Sequence, residues 1–489
     1  MKINAIADRS RNVHSVGYLI IISFLLAIAL LMTSTVIIVT ENIIFSLVAL
    51  CVTLTFIVML VKSHYEVLLV LSLSSIIFLA LYFPILGGVL DLFGNVELRI
   101  LKIAVGIRSS VYSVGIVMFV LLSYISYRHK FIARSNRNIF FFTTFYLTAS
   151  FFYSSEDLTL KATYLLNTFI PLFFSYLAIL YLNFYKGIYL NKQPIIMWLA
   201  IMVCFCIVYF FALDHIYDVV RPDLVSAVKS KSGEPLNYGA YPGSWQSIIG
   251  EFRFQRFVGS FPDPIIFGYL LAVISIYLIA INKYLFSLVV LVLLAFSGSK
   301  GAWLFFINAI FLINVLRYIP QLRVTVVGIL ISIQFIAAFL FHSSAFIHLS
   351  GLLGALRSVT SGTIQELLFG FGIGAGGNLA RISSTSQEHG WLSSGSESGI
   401  GILVYQLGIV GLSLYLALIF LIDKKLMAKF NESRDGKYLY PLSMLYSIFI
   451  NSMLQENCVN SSVVSIIIFA TLITVFSSKE KVVATYKMS

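Results

Sequence analysis

Apolar runs of about 20 residues recur along nearly the whole chain, each long enough to cross a hydrocarbon layer of about 30 Å as one helix. The backbone groups of such a run must be satisfied within the segment when it lies in lipid. No alternating strand pattern offers the other solution, a closed barrel. Composition agrees: 59% of the 489 residues are hydrophobic and 11% are charged, against about 25% charged in an ordinary globular protein. The fold class expected is an all-α polytopic integral membrane protein. Spans fall at about 16–39, 43–61, 66–86, 104–126, 139–153, 162–183, 194–213, 262–281, 284–297, 301–316, 324–341, 399–421, 439–455 and 461–477, about 14 transmembrane helices.

The opening MKINAIADRSRNVHS leads into an apolar run with no small-residue cleavage site, so that run reads as a retained first span. Cys51, Cys204, Cys206 and Cys458 lie in or beside apolar segments. They form no ligand spacing and are read as packing residues. Cations concentrate on one side when the N-terminus is placed inside: Arg128, Lys130, Arg134 and Arg137, then DKKLMAKFNESRDGK and the tail. This is the positive-inside pattern of a multi-pass protein with both termini cytoplasmic. Much of the net charge of +12 is therefore topological and implies no nucleic acid.

The same orientation puts two long hydrophilic stretches on the outer face, and long loops in a compact protein are commonly functional. The chain divides into N-terminal spans (1–213), a first outer loop (214–261), central spans (262–341), a second outer loop (342–398) and C-terminal spans with a tail (399–489). In the second loop GTIQELLFG has Thr363 and Glu366 at capping-box spacing, predicting a short helix.

The first loop ends in RFQRFVGSFPDPIIFGYLL. Arg253 and Arg256, three apart, would share a face if that stretch were helical. Asp263 and Pro264 read as N-cap and first residue of the next helix. The arginines then stand near the depth of a lipid headgroup, and guanidinium is shaped for two-pronged contact with phosphate. Ordinary anionic lipid would meet the same chemistry.

The second loop carries FGFGIGAGG, with Gly370, Gly372, Gly374, Gly376 and Gly377. No strand precedes it, so a dinucleotide-binding turn is excluded on context. A backbone cradle for an anion and a turn permitting close approach both remain open. Downstream, Glu397 lies at the mouth of the next helix. A carboxylate there could act as general base or simply sit well at a helix N-terminus. His389 is the other loop candidate for a base.

The order of these features resembles the O-antigen polymerase (Wzy) and O-antigen ligase superfamily. A long outer loop with RFQRFVGSFPDPIIFGYLL is followed by a hairpin with SGSKGAW, then by LLFGFGIGAGG leading into ESGIGILVYQLGIVGLSLYL. NTFIPLFFSYL after Lys161, and Lys300, also suit the family. The ligases carry a His-Asn pair some eleven residues before the first glycine of a GIVG-like pattern. Counting back from Gly408 lands on Glu397, within SESG, and an acidic residue there is similar to the polymerases.

The resemblance implies a GT-C-like membrane glycosyltransferase in the bacterial cytoplasmic (inner) membrane, its long loops periplasmic. It implies transfer of a growing glycan from undecaprenyl pyrophosphate onto a lipid-linked repeat unit. The partners implied are the undecaprenyl-pyrophosphate-linked oligosaccharide, membrane lipids and a chain-length regulator. In that reaction Glu397, or His389, takes the acceptor proton, and Arg253 and Arg256 offset charge on the leaving pyrophosphate. Arg357 and Arg381 are further phosphate or sugar contacts, with Arg108 and Lys161 at outer ends of apolar spans.

No cofactor and no metal site is expected, since the sequence has no D-x-D or dense carboxylate cluster. Asp214, His215 and Asp218 read as a polar exit from the membrane. The alternatives are a ligase acting on a lipid A core and, from another class, a polyprenyl-lipid flippase or transporter.

Overall fold

The computed structural model describes residues 134–156, 192–213, 237–238, 241–242, 245–249, 252–261, 263–340, 344–377 and 397–459, with isolated helical positions in 21–28, 76–80 and 160–165 and at 215. The described residues are mostly helical. By length and composition, Lys300–Tyr318, Pro320–Leu340 and Gly399–Ser433 can each cross a membrane. The expected spans at 43–61, 104–126 and 461–477 lie outside the described residues.

Helices α1 (Arg134–Tyr153) and α2 (Lys192–Phe211) come first. Two antiparallel hairpins follow: β1 (Asn237–Tyr238) with β2 (Tyr241–Pro242), and β3 (Gln246–Ile249) with β4 (Phe252–Gln255). Next come the apolar helices α3 (Pro264–Ala280), α4 (Tyr284–Ser297), α5 (Lys300–Tyr318) and α6 (Arg323–Leu340). Helix α7 (Ser344–Ser361) and the short α8 (Ile364–Phe369) precede α9 (Gly399–Ser433) and α10 (Leu439–Ser452).

Two expectations need correction. The hairpins depart from an all-α chain: QSIIGEFRFQ pairs Gln246 with Gln255 and Ile249 with Phe252, an alternation too short to stand out among long apolar runs. The stretch 342–398 is not a loop with one short helix, because it opens with the eighteen-residue α7. Leu349, Leu352, Ala355 and Val359 are its buried apolar positions, at the three-and-four spacing of an amphipathic helix. The short helix expected in GTIQELLFG is α8. The Thr363 hydroxyl accepts from the Glu366 N–H, and the Glu366 carboxylate accepts from the Thr363 N–H.

Helix α3 starts where its sequence says. Asp263 accepts from the Ile265 N–H at 2.7 Å and Pro264 is the first helical residue, a cap worth about 1 kcal/mol. Every residue from Ile266 to Leu278 is buried, which marks an inner helix; it packs on α4 and α5. By contrast α4 and α6 expose Leu285, Phe286, Ile333 and Phe339. Such apolar outer faces suit contact with lipid.

The two ends of this bundle are fastened differently. At one end the Arg323 guanidinium grips the buried Asp423, Nε to Oδ1 at 2.8 Å and Nη2 to Oδ2 at 3.0 Å, while the Tyr446 hydroxyl donates to Oδ1 at 2.6 Å. That ties α6, α9 and α10 together. At the other end the Ser398 hydroxyl donates to the Met453 carbonyl at 2.8 Å and accepts from the Gly401 N–H at 2.9 Å. Asn451 Nδ2 donates to the Gly301 carbonyl at 2.7 Å, so the starts of α5 and α9 meet the end of α10. Cys206 and Cys458 are buried, free thiols, and Cys458 Sγ lies 2.7 Å from the Tyr269 hydroxyl.

Candidate functional site

The second end is built around a break. Within α9, Gly408 has φ 58° and ψ −163°, a region that is essentially glycine's alone. The helix divides there, and carbonyls ahead of the break look for other donors. The Phe371 and Gly372 N–H groups donate to the Tyr405 and Gln406 carbonyls, both at 2.9 Å, and the Tyr146 hydroxyl of α1 donates to the Leu407 carbonyl. Gln406 Nε2 returns a bond to the Gly376 carbonyl at 3.1 Å.

Gly370 has nearly the same conformation, φ 71° and ψ −166°. A Cβ on Gly370 would stand 2.5 Å from the Leu407 nitrogen, and one on Gly408 would stand 2.7 Å from the Gly370 nitrogen. Each glycine leaves room for the backbone of the segment that carries the other. Of the two readings of FGFGIGAGG, close approach accounts for its first half, where the Gly370, Phe371 and Gly372 N–H groups all donate to carbonyls.

Residues 399–408 are buried on every side, whereas Ile409, Leu416 and Phe420 beyond the break are exposed. Glu397 stands just ahead of this half-helix, with Ser398 as the N-cap. Its φ is +72°. His348 of α7 turns Nδ1 to the residue from across the fold, 3.1 Å from the Glu397 carbonyl and 3.3 Å from Oε2. The two side chains are 25% and 29% exposed, so a substrate can reach both. His348 was not among the candidates from sequence. The periodicity of α7 could have placed it on a helix, but nothing marks its pairing with a residue 49 positions away.

Arg256 is fixed at the turn between α4 and α5. Its N–H donates to the Trp245 carbonyl at 2.7 Å, extending the β3–β4 ladder. Its Nε donates to the carbonyl of Ser297, the last residue of α4, at 2.8 Å. A cation is favourable at that negative helix end. The neighbouring Gly298, at φ +60°, would put a Cβ 3.3 Å from Arg256 Nε, which explains one glycine of SGSKGAW. Burial pushes the guanidinium pKa down and Asp263 pushes it back up; arginine stays charged throughout. Arg253 lies on strand β4. The helical premise for a shared face with Arg256 therefore fails, because side chains on a strand alternate rather than repeat every three or four residues.

The other candidates divide. Lys161 is engaged within the protein: its Nζ donates to the Ser154 carbonyl at 2.8 Å and lies 5.3 Å over the Phe151 ring. Its Cγ would be 3.3 Å from a Cβ on Gly374, so it sits against the glycine-rich turn. Nearby, the Tyr164 hydroxyl donates to Glu456 Oε1 at 3.4 Å. Arg357 is exposed on α7, nine residues beyond His348 and so about 13 Å along the axis; it is not drawn to Glu397. Arg108, Arg381 and His389 lie outside the described residues. Among the described residues no three His, Cys, Asp or Glu side chains gather as a metal site. Comparison of the chain with family models, curated proteins and solved structures finds no match.

Proposed function

We propose that this chain is a surface-polysaccharide polymerase of the O-antigen polymerase type. It moves a growing glycan from undecaprenyl pyrophosphate onto a lipid-linked repeat unit at the outer face of the cytoplasmic membrane. The observation that carries the reading is the placement of two unlike groups toward one end of an apolar bundle. A guanidinium is fixed at the α4–α5 turn, and a carboxylate–imidazole pair stands at the mouth of a buried half-helix. Cations suit the pyrophosphate that leaves, and a proton acceptor suits the sugar hydroxyl that attacks.

Among the described residues the break in α9 is the feature that favours transport, since transporters bind substrate at broken helices near the bilayer midplane. Gly408 lies fifteen residues before Asp423, about 22 Å along a helix. It lies eleven residues after Glu397 on the other side, so the break falls near the middle of the expected 399–421 span. The Tyr405, Gln406 and Leu407 carbonyls ahead of it, however, accept from Phe371, Gly372 and Tyr146 within the protein. They do not wait for a transported solute, and glycan transfer remains the better account.

The test supplies purified protein in lipid with an undecaprenyl-pyrophosphate-linked repeat unit. The expected product is a ladder spaced by one repeat unit. Transfer only when lipid A core is added would mean a ligase. Intact protein and substrate with neither product would overturn glycan transfer.

A further inference from the structure

We infer that His348 takes the acceptor proton and that Glu397 acts through it as a positioning residue; the inference rests on the polymerase reading above. His348 Nδ1 faces two oxygens of one residue, the Glu397 carbonyl at 3.1 Å and Oε2 at 3.3 Å. A carbonyl and an ionised carboxylate only accept hydrogen bonds, so Nδ1 carries the hydrogen and donates it. This assigns the tautomer from the bonding pattern. In the neutral ring the lone pair is then on Nε2, the nitrogen turned away from Glu397.

This is the arrangement of a base held by a third group. Glu397 is the weaker choice for the base itself, because its carboxylate already receives the imidazole N–H and a carboxylate is less basic than imidazole. Glu397 also sits at φ +72°, a conformation costly for a residue with a Cβ and one that gathers at active sites. His348 is reached from α7 and Glu397 from the start of α9, so the pair exists only when those helices are docked.

The step balances as follows. The acceptor hydroxyl oxygen bonds to the anomeric carbon while its proton passes to His348 Nε2. The bond from that carbon to the pyrophosphate oxygen breaks, and its electron pair leaves on undecaprenyl pyrophosphate. The imidazolium is stabilised by the Glu397 carboxylate and returns its proton to water.

The experiment measures chain extension by full-length protein in lipid, for wild type, His348→Ala, His348→Gln, Glu397→Gln and the double variant His348→Ala/Glu397→Gln. The His348→Gln amide can still donate to Glu397, so it keeps the α7–α9 contact while removing the base. Both His348 variants are expected to lose about a hundredfold or more in kcat with KM little changed. Glu397→Gln should lose about tenfold, and the double variant should be no slower than His348→Ala, because the pair acts as a unit. A His348→Gln protein near wild-type rate overturns the inference, as does Glu397→Gln slower than both His348 variants. In either case a wild-type ladder leaves the polymerase reading standing. Absence of any wild-type product removes that reading and this inference together.

Discussion

Glu397 joins an unfavourable backbone to an imidazole neighbour. Its φ of +72° brings a Cβ into a region that costs roughly 1–2 kcal/mol for L-residues, and the same residue meets His348 through both carbonyl and carboxylate. Strain retained at the proposed base pair is a trade of stability for geometry. Comparing two truncations separates the terms, since both lose the carboxylate and only one keeps the strain. Glu397→Gly should be more stable than Glu397→Ala by about 1 kcal/mol, read by thermal unfolding, while both extend chains slowly. Equal stability would mean that the backbone here carries no strain. At this scale Glu397 and Arg256 stand out in the sequence as ionisable groups beside apolar segments. His348 does not, because its meaning depends on a residue in another helix.

Among the elements, α8, the glycine-rich turn and the two halves of α9 form one unit. Gly370 and Gly408 hold it together by backbone contact, so neither tolerates a side chain. Gly408→Ala combines a conformational cost of about 1–3 kcal/mol with overlap on the Leu368 carbonyl group, 2.5 Å from the new Cβ. Its expected result is a lowered melting temperature, with the turn displaced from the Tyr405 and Gln406 carbonyls and activity lost. Gly328→Ala makes the control, because nothing stands within 4 Å of a Cβ there. Local signals were readable where a helix end is set by neighbouring residues, as at Asp263–Pro264 and in the Thr363–Glu366 box. The break at Gly408 was not, since GIVG within an apolar run looks like any helix stretch until another backbone is seen to press on it. Helix α7 was obscured by its serines and glycines. The β3–β4 hairpin was hidden because the arginine spacing invited a helical reading.

Across the whole molecule, apolar periodicity was enough to recover α3 to α6 and α10 within a few residues. Long apolar runs admit one local structure and differ mainly in where they stop. What it could not supply is which ends meet. The Arg323–Asp423–Tyr446 clamp fastens one end of the bundle, leaving the other to gather Arg256, His348, Glu397 and the broken helix. The central claim is that this second end holds a lipid pyrophosphate by Arg256 apart from the proton-transfer pair. Binding of undecaprenyl pyrophosphate to purified protein in lipid tests it most directly, with wild type, Arg256→Ala and Glu397→Gln compared at equal folded amounts. A charge-assisted hydrogen bond contributes about 1.5–3 kcal/mol, so Arg256→Ala should bind roughly tenfold to a hundredfold more weakly while Glu397→Gln binds like wild type. Equal affinity in wild type and Arg256→Ala would contradict the account.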